Sequence, residues 1–381
     1  MYPAGYGTTL AAVRLSTVEL GGMGFIAHNP MAKTPGAPAL PAMFARYRDR
    51  VEQELLRSVP SSEDAALYTL LRYHLGWVDQ QGHPQEYPLS QGKALRPTLC
   101  LFACEALEGD LSWALPTAAA LELIHNFSLI HDDIQDQDLE RRHQATVWSI
   151  WGMPKALVAG NALQSVGDAT LLNISRLDVA PETALKVSRL LTESYLEMIQ
   201  GQCLDLAFES STAIGTQDYL QMIACKTGAL IRTGLEIGAS LATQDSATLA
   251  AFSQFGSSLG RAFQIRDDYL GIWGDEATTG KTAGNDIRRR KKSYPVVFAL
   301  ERAEGQPRDD LLKIYSQAEL DEEDVYRVQA IMEEVGAREH TQSLAETSAQ
   351  EALAALDGIS MLPWAEGEAE ALVDFLVRRE Y

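Results

Sequence analysis

Apolar side chains recur every four residues in AMFARYRDRVEQELLRSV, where Met43, Tyr47, Val51, Leu55 and Val59 make one stripe of a helix. LRPTLCLFACEALEG reads as a second helix, with Gly109 placed to cap its C-terminus. LPTAAALELIHNFSLIHDDIQD then continues without a breaker after Pro116, a residue suited to a first helical turn. Most of its faces are apolar, which places it at the centre of a domain, yet it ends in acids. PETALKVSRLLTESYLEMIQGQCLDLAFE and LAAFSQFGSSLGRAFQIRDDYLGIWG read as further long helices, and 274–292 as a polar loop. The rest of the chain reads as peripheral, acidic helices. Recurrent β-branched strand patterns are absent, so the expected class is all-α. Residues 1–40, rich in Gly, Pro, Ala and Thr, read as a flexible N-terminal extension, and 41–381 as one all-helical domain. Met31 is a candidate for the native start.

Charge sharpens this picture. The chain carries 32 basic and 52 acidic residues, a net charge of -20, and has no basic stripe interleaved with aromatics, so nucleic acid is not an expected partner. An anionic ligand would need local cations or a metal. The four cysteines, Cys100, Cys104, Cys203 and Cys225, form no CxxC pair, which fits a reducing compartment. Cys100 and Cys104 share a helix face and with His125 could be part of a zinc site, but buried structural thiols are the favoured reading. No apolar run reaches the ~18 residues of a membrane span, and no signal-peptide pattern opens the chain, so the expected setting is the cytoplasm.

Two acidic clusters each close an apolar helical stretch: Asp132, Asp133 and Asp136, then Asp267 and Asp268. Asp132 and Asp136, four residues apart, face the same way, and like charges at a helix C-terminus oppose both each other and the helix dipole. A divalent cation would relieve both. Oxygen ligands without His or Cys point to magnesium, which completes its shell with water and substrate phosphate. A solvated acidic face is the ordinary fate of such a run, but two clusters, each followed by cations, favour a site. The cations are Lys93 with Arg96, Arg141 with Arg142, Lys226 beside Thr227, Lys281, and Lys291 with Lys292. GDEATTGKT resembles the end of a P-loop but has Asp275 where that motif needs Gly, and no strand precedes it.

These motifs together resemble the trans-isoprenyl diphosphate synthases. LIHDDIQDQDLERR resembles that family's first aspartate-rich motif and FQIRDDYLGIWGDEATTGKTAGNDI its second, while GKALRP, ELIHN, GQCLDL and KTGAL match further signatures in the same order. The resemblance implies one large helical bundle around a central cavity, usually as a homodimer. It implies that Asp132, Asp136 and Asp267 bind three magnesium ions with an allylic diphosphate, supported by Asp133 and Asp268. Arg141, Lys226 and Lys281 would hold that diphosphate, with Thr227, Gln264 and Lys291 nearby; Lys93, Arg96, His125 and Arg142 would hold isopentenyl diphosphate. Three departures stand out: Gly271 where many members carry a third Asp, Arg290 where Gly is common, and Asn161 where Asp is common.

The activity so implied is magnesium-dependent head-to-tail condensation of isopentenyl diphosphate with allylic diphosphates, by ionisation, attack of the double bond and loss of a proton, with Gly274–Gly284 as candidate lid. Phe127, five residues before Asp132, is expected on the floor of the prenyl tunnel, and the adjacent Ser128 is small, which favours a geranylgeranyl (C20) over a farnesyl (C15) product. The alternatives are a class I terpene cyclase on the same fold, which needs no second diphosphate pocket, and a non-catalytic modulating subunit, which could lose its acids. His131 reads equally as a base beside Asp132 and as a packing residue.

Overall fold

The computed structural model describes residues 40–61, 66–85, 92–142, 144–211, 213–274 and 283–378. The expected extension, Lys281 and most of the candidate lid lie outside them. The first stripe forms α1 (Ala42–Ser58), with Met43, Phe44, Tyr47, Val51 and Leu55 buried. After α2 (Ala66–His74) come α3 (Leu95–Ala106) and α4 (Leu111–Gln135), the long helix that ends in the first acids. α4 packs against α3 and against α6 (Met153–Leu171), and it is buried on nearly every side, as an apolar stripe too wide for a surface helix requires.

Two local expectations need correction. α4 begins five residues before Pro116, because Asp110 caps it by accepting a hydrogen bond from the backbone N–H of Ser112 (2.8 Å). Pro116 therefore lies inside the helix, where it forgoes one ladder hydrogen bond. At the end of α3 the left-handed residue is Glu108 (φ 61°), not Gly109, whose N–H closes the turn onto the carbonyl of Cys104 at 2.8 Å.

The remaining framework is α5 (Val147–Trp151), α7 (Pro181–Ser210), α8 (Thr216–Ile223), α9 (Ala229–Ala242) and α10 (Ser246–Trp273), followed by shorter helices to Arg378. The fold is all-α, 78% helical, and residues 37–381 form one compact unit. Among the described residues, the extended structure in named strands is a hairpin of β1 (Glu140–Arg141) and β2 (Gln144–Ala145), with Glu140 paired to Ala145 and Arg141 to Gln144. One apolar core joins α1, α3, α4, α6 and α9; a second gathers Tyr219, Ile265, Ile272 and the helix Tyr294–Arg302. Cys100 and Cys104 lie wholly in the first core, where burial pushes both thiols up. No helix of the described residues is long and apolar enough to cross a membrane.

Candidate active site

α4, α6, α7 and α10 enclose a cavity of about 550 Å³, and both aspartate motifs reach it. Asp132 and Asp267 line it from different helices, with Lys226, Thr227 and Gln264 between them and Phe127, Met198, Ile199, Leu206 and Phe263 among its apolar lining. An adjoining hollow of about 560 Å³ is polar and shares Gln135 and Lys226 with the first. Asp136, Asp205, Asp286, Arg289 and Lys291 line it.

The two aspartates of each pair have different surroundings. Asp132 and Asp267 open on the cavity, whereas Asp133 and Asp268 are buried and tied into the frame. Asp133 accepts a hydrogen bond from Arg141 Nε at 2.7 Å. Asp268 accepts from the Tyr219 hydroxyl at 2.5 Å, from the Tyr294 backbone N–H at 3.1 Å and from Gln264 Nε2 at 3.1 Å, with Lys291 Nζ 3.9 Å away. Burial pushes the carboxyls of Asp132, Asp133 and Asp268 up to about 6 despite these cations. Asp136 is raised as well, through burial and through its acidic neighbours Asp138 and Asp205. Lys291 shows the converse: burial would lower it, but Asp286, Asp268, Asp205 and Asp267 outweigh that and raise it. Partly desolvated carboxylates that repel one another, with no thiolate or imidazole in the set, have the donor chemistry of a hard divalent cation.

Lys226 and Thr227 stand on a π-helical turn, Ala224–Gly228, between α8 and α9. Such turns recur at functional sites because they redirect side chains out of helical register. The backbone here runs against α7 at Gly201, where a Cβ would lie 2.2 Å from the nitrogen of Lys226, so only glycine fits. The close approach brings Lys226 Nζ to 2.5 Å from Asp205 and Thr227 Oγ1 to 2.7 Å from Gln264. Two of the sequence departures also become intelligible. The Asp286 carboxylate occupies the space over Gly271, where a Cβ would come within 2.3 Å of it. Arg290 adopts φ 53°, a conformation glycine takes freely, and is held by a 2.7 Å hydrogen bond from its Nη1 to the Gln317 carbonyl.

Arg141 and Arg142 lie on the hairpin after α4 rather than on a continuation of that helix. Arg142, at φ 52°, forms its turn, with the guanidinium packed against Gly92. Around it stand Arg96, His125 and the buried acid Glu122, which also accepts from Asn126 Nδ2 at 3.1 Å. Burial lowers Arg96 to about 10 against the pull of Glu122, and Arg142 is lowered for the same reasons. Burial, reinforced by Arg96, Arg142 and Arg141, keeps His125 neutral. Lys93 lies over the Phe375 ring at 4.5 Å. The sequence reading did not single out Asp205, Glu122, Asp286 or Tyr219. Asp205 lay within GQCLDL, but a lone acid on a long helix carries no signal of its own.

A family model described as polyprenyl synthetase matches residues 80–334. The chain belongs to the polyprenyl synthetase family. It is an isoprenyl diphosphate synthase, a prenyltransferase of the short-chain class. It is 37% identical over 340 residues to a geranylgeranyl diphosphate synthase of Mycobacterium tuberculosis, covering 89% of this chain and 94% of the relative. A (2E,6E)-farnesyl diphosphate synthase of the same organism is 40% identical over 245 residues, 64% of this chain and 66% of the relative. Among solved structures, a geranylgeranyl pyrophosphate synthase from Corynebacterium glutamicum, complexed with isoprenyl diphosphate and magnesium, superposes with a TM-score of 0.76 at 26% identity, covering 90% of this chain and 99% of that one.

Proposed function

We propose that this synthase condenses isopentenyl diphosphate with allylic diphosphates head to tail and releases chiefly the C20 product. The observation that carries this reading is the pairing of a carboxylate-rimmed apolar cavity with a cluster of basic residues, Arg96 and His125 on its wall and Arg141 and Arg142 in the hollow beside the hairpin. A cyclase needs only the first. Asp132, Asp136 and Asp267 would hold three magnesium ions, and Asp133 and Asp268 keep the two helix ends in place. Bound magnesium neutralises charge on the departing diphosphate. Lys226, Arg141 and Lys291 add fixed positive charge around the allylic diphosphate, and Thr227 and Gln264 fix the wall beside it. Arg96, Arg142, Lys93 and His125 orient isopentenyl diphosphate so that its double bond faces the allylic carbon. The walls formed by Phe127, Met198, Ile199, Leu206 and Phe263 exclude the water that would quench a carbocation.

Phe127 and Ser128 both line the cavity, and the Phe127 ring is braced edge-on by His131 with centroids 5.8 Å apart. A braced aromatic with a serine beside it limits the tunnel without closing it early, which supports C20 over C15. The reading includes a homodimer. Leu157, Val158, Leu172, Leu185 and Leu196 expose large apolar surface on α6, α7 and the turn joining them, more than a solvated face needs. Incubation with magnesium, isopentenyl diphosphate and each allylic primer, followed by product sizing, tests the activity. Geranylgeranyl diphosphate is expected; farnesyl diphosphate alone would overturn the chain length, and cyclic hydrocarbon without consumption of isopentenyl diphosphate would overturn the condensation.

A further inference from the structure

His74 is the last residue of α2, in YHLGW, a stretch with no catalytic signature. Long-range contacts fix its position. The Tyr73 hydroxyl donates to the Ala145 carbonyl at 2.8 Å, pinning α2 to the hairpin. The helix end is closed by the N–H groups of Leu75, Gly76 and Trp77 donating to Leu71, Tyr73 and Arg72 at 3.1, 2.8 and 2.9 Å. The imidazole consequently lines a small hollow with Asp133, Arg141 and Arg142. Its Nε2 is shut off from solvent and has no hydrogen-bond partner among the described residues. Burial, then the fields of Arg141 and Arg142, hold the ring neutral with its pKa down at about 3, against hydrogen bonding to Asn126.

A neutral imidazole has one N–H to give and one lone pair. Leaving a buried ring nitrogen unbonded carries an uncompensated desolvation cost, so an unsatisfied atom of this kind calls for an explanation. Arg141 and Arg142 face it with the Asp133 carboxylate and Asn126; Asp133 is already engaged by Arg141 Nε, and the partner missing beside the Arg142 guanidinium is an anionic oxygen. Arg96, half-buried on the wall of the main cavity, also has an unpartnered Nε. Two unfilled nitrogens on different elements, α2 and α3, flank the same set of guanidiniums.

We propose that His74 is a binding residue for isopentenyl diphosphate, its Nε2–H donating to a diphosphate oxygen held by Arg142. The proposal rests on the reading of the cationic pocket given above. It separates His74 from a merely structural histidine, whose ring would matter only by its shape.

Titration calorimetry of the full chain with isopentenyl diphosphate in EDTA tests it. His74→Phe keeps a ring and removes the N–H; His74→Gln keeps a donor. One charge-assisted hydrogen bond predicts that His74→Phe weakens binding at least about tenfold, while His74→Gln stays within about threefold of wild type. In steady state KM for isopentenyl diphosphate should follow, with kcat and the allylic KM unchanged. Unaltered affinity in His74→Phe, or equal losses in both variants, would overturn the proposal and leave the pocket reading intact. If the wild-type protein does not bind isopentenyl diphosphate without metal, the pocket reading fails and the proposal with it.

Discussion

The mouth of the cavity and the hollow beside the hairpin, the proposed seats of the two diphosphates, carry different balances of charge in a protein of net charge -20. At the mouth, Asp132 and Asp267 line the cavity and Asp136 the adjoining polar hollow, and burial drives Asp132 and Asp136 upward. Arg96 on the cavity wall and Arg142 on the hairpin share the buried acid Glu122, with Asp133 paired to Arg141 nearby, and burial drives both guanidiniums downward. The balance differs: the mouth mixes its acids with Lys226, Arg289 and Lys291, whereas guanidiniums predominate beside the hairpin. A diphosphate that is to leave needs charge neutralised as its bond breaks, which a metal supplies. A diphosphate that stays attached needs only to be held, and fixed guanidiniums suffice.

The largest effect that could break this contrast is removal of a cavity-facing acid. Asp132→Ala or Asp267→Ala should lower kcat by about a thousandfold or more in a prenyl-transfer assay; near-native turnover in either would place the chemistry elsewhere. Next comes the cationic side. Arg96→Met should raise KM for isopentenyl diphosphate by about a hundredfold, with the allylic KM little changed, since one buried charged contact is worth about 2–5 kcal/mol. An equal rise in both KM values would erase the distinction between the two regions.

A smaller effect comes from pH. Asp132, Asp133 and Asp268 titrate at about 6 in the fold, above the ordinary 3.8. Between those values the metal-free fold keeps protons that the unfolded chain has released, so its stability falls as pH rises through that window. Magnesium binds only the ionised carboxylates and opposes that loss. The rise in Tm on adding magnesium should therefore grow from pH 5 to pH 7 and then level off. A constant increment across that range would mean that Asp132 is not a ligand. The mildest change is Phe127→Ala, which should leave rates near wild type and lengthen products by one or two isoprene units on chromatography. An unchanged product profile would remove Phe127 from the floor.

The two regions differ in how far the sequence discloses them. The acids at the mouth announce themselves because like charges at the end of an apolar helix have no local reason to be there. The sequence pattern also separates Asp132 from Asp133, since neighbours on a helix cannot share a face. The cationic pocket is assembled by contacts between distant segments. Arg142 reaches it from the turn of a hairpin that no local sequence pattern marks. His74 matters only because α2 is pinned to Ala145, 72 residues further along. The π turn bearing Lys226 was equally hidden, since the close approach it makes is to Gly201 on another helix. The role of Asp286 over Gly271 depends on a fold-back across the intervening loop that no local pattern encodes.

The contrast itself is tested most directly by calorimetry on the wild-type chain with two ligands, each with and without magnesium. An unreactive thiolo analogue of an allylic diphosphate should bind tightly only when magnesium is present. Isopentenyl diphosphate should bind with nearly the same affinity in magnesium and in EDTA. Tight binding of the allylic analogue in EDTA, or a requirement of both ligands for the metal, would contradict the account.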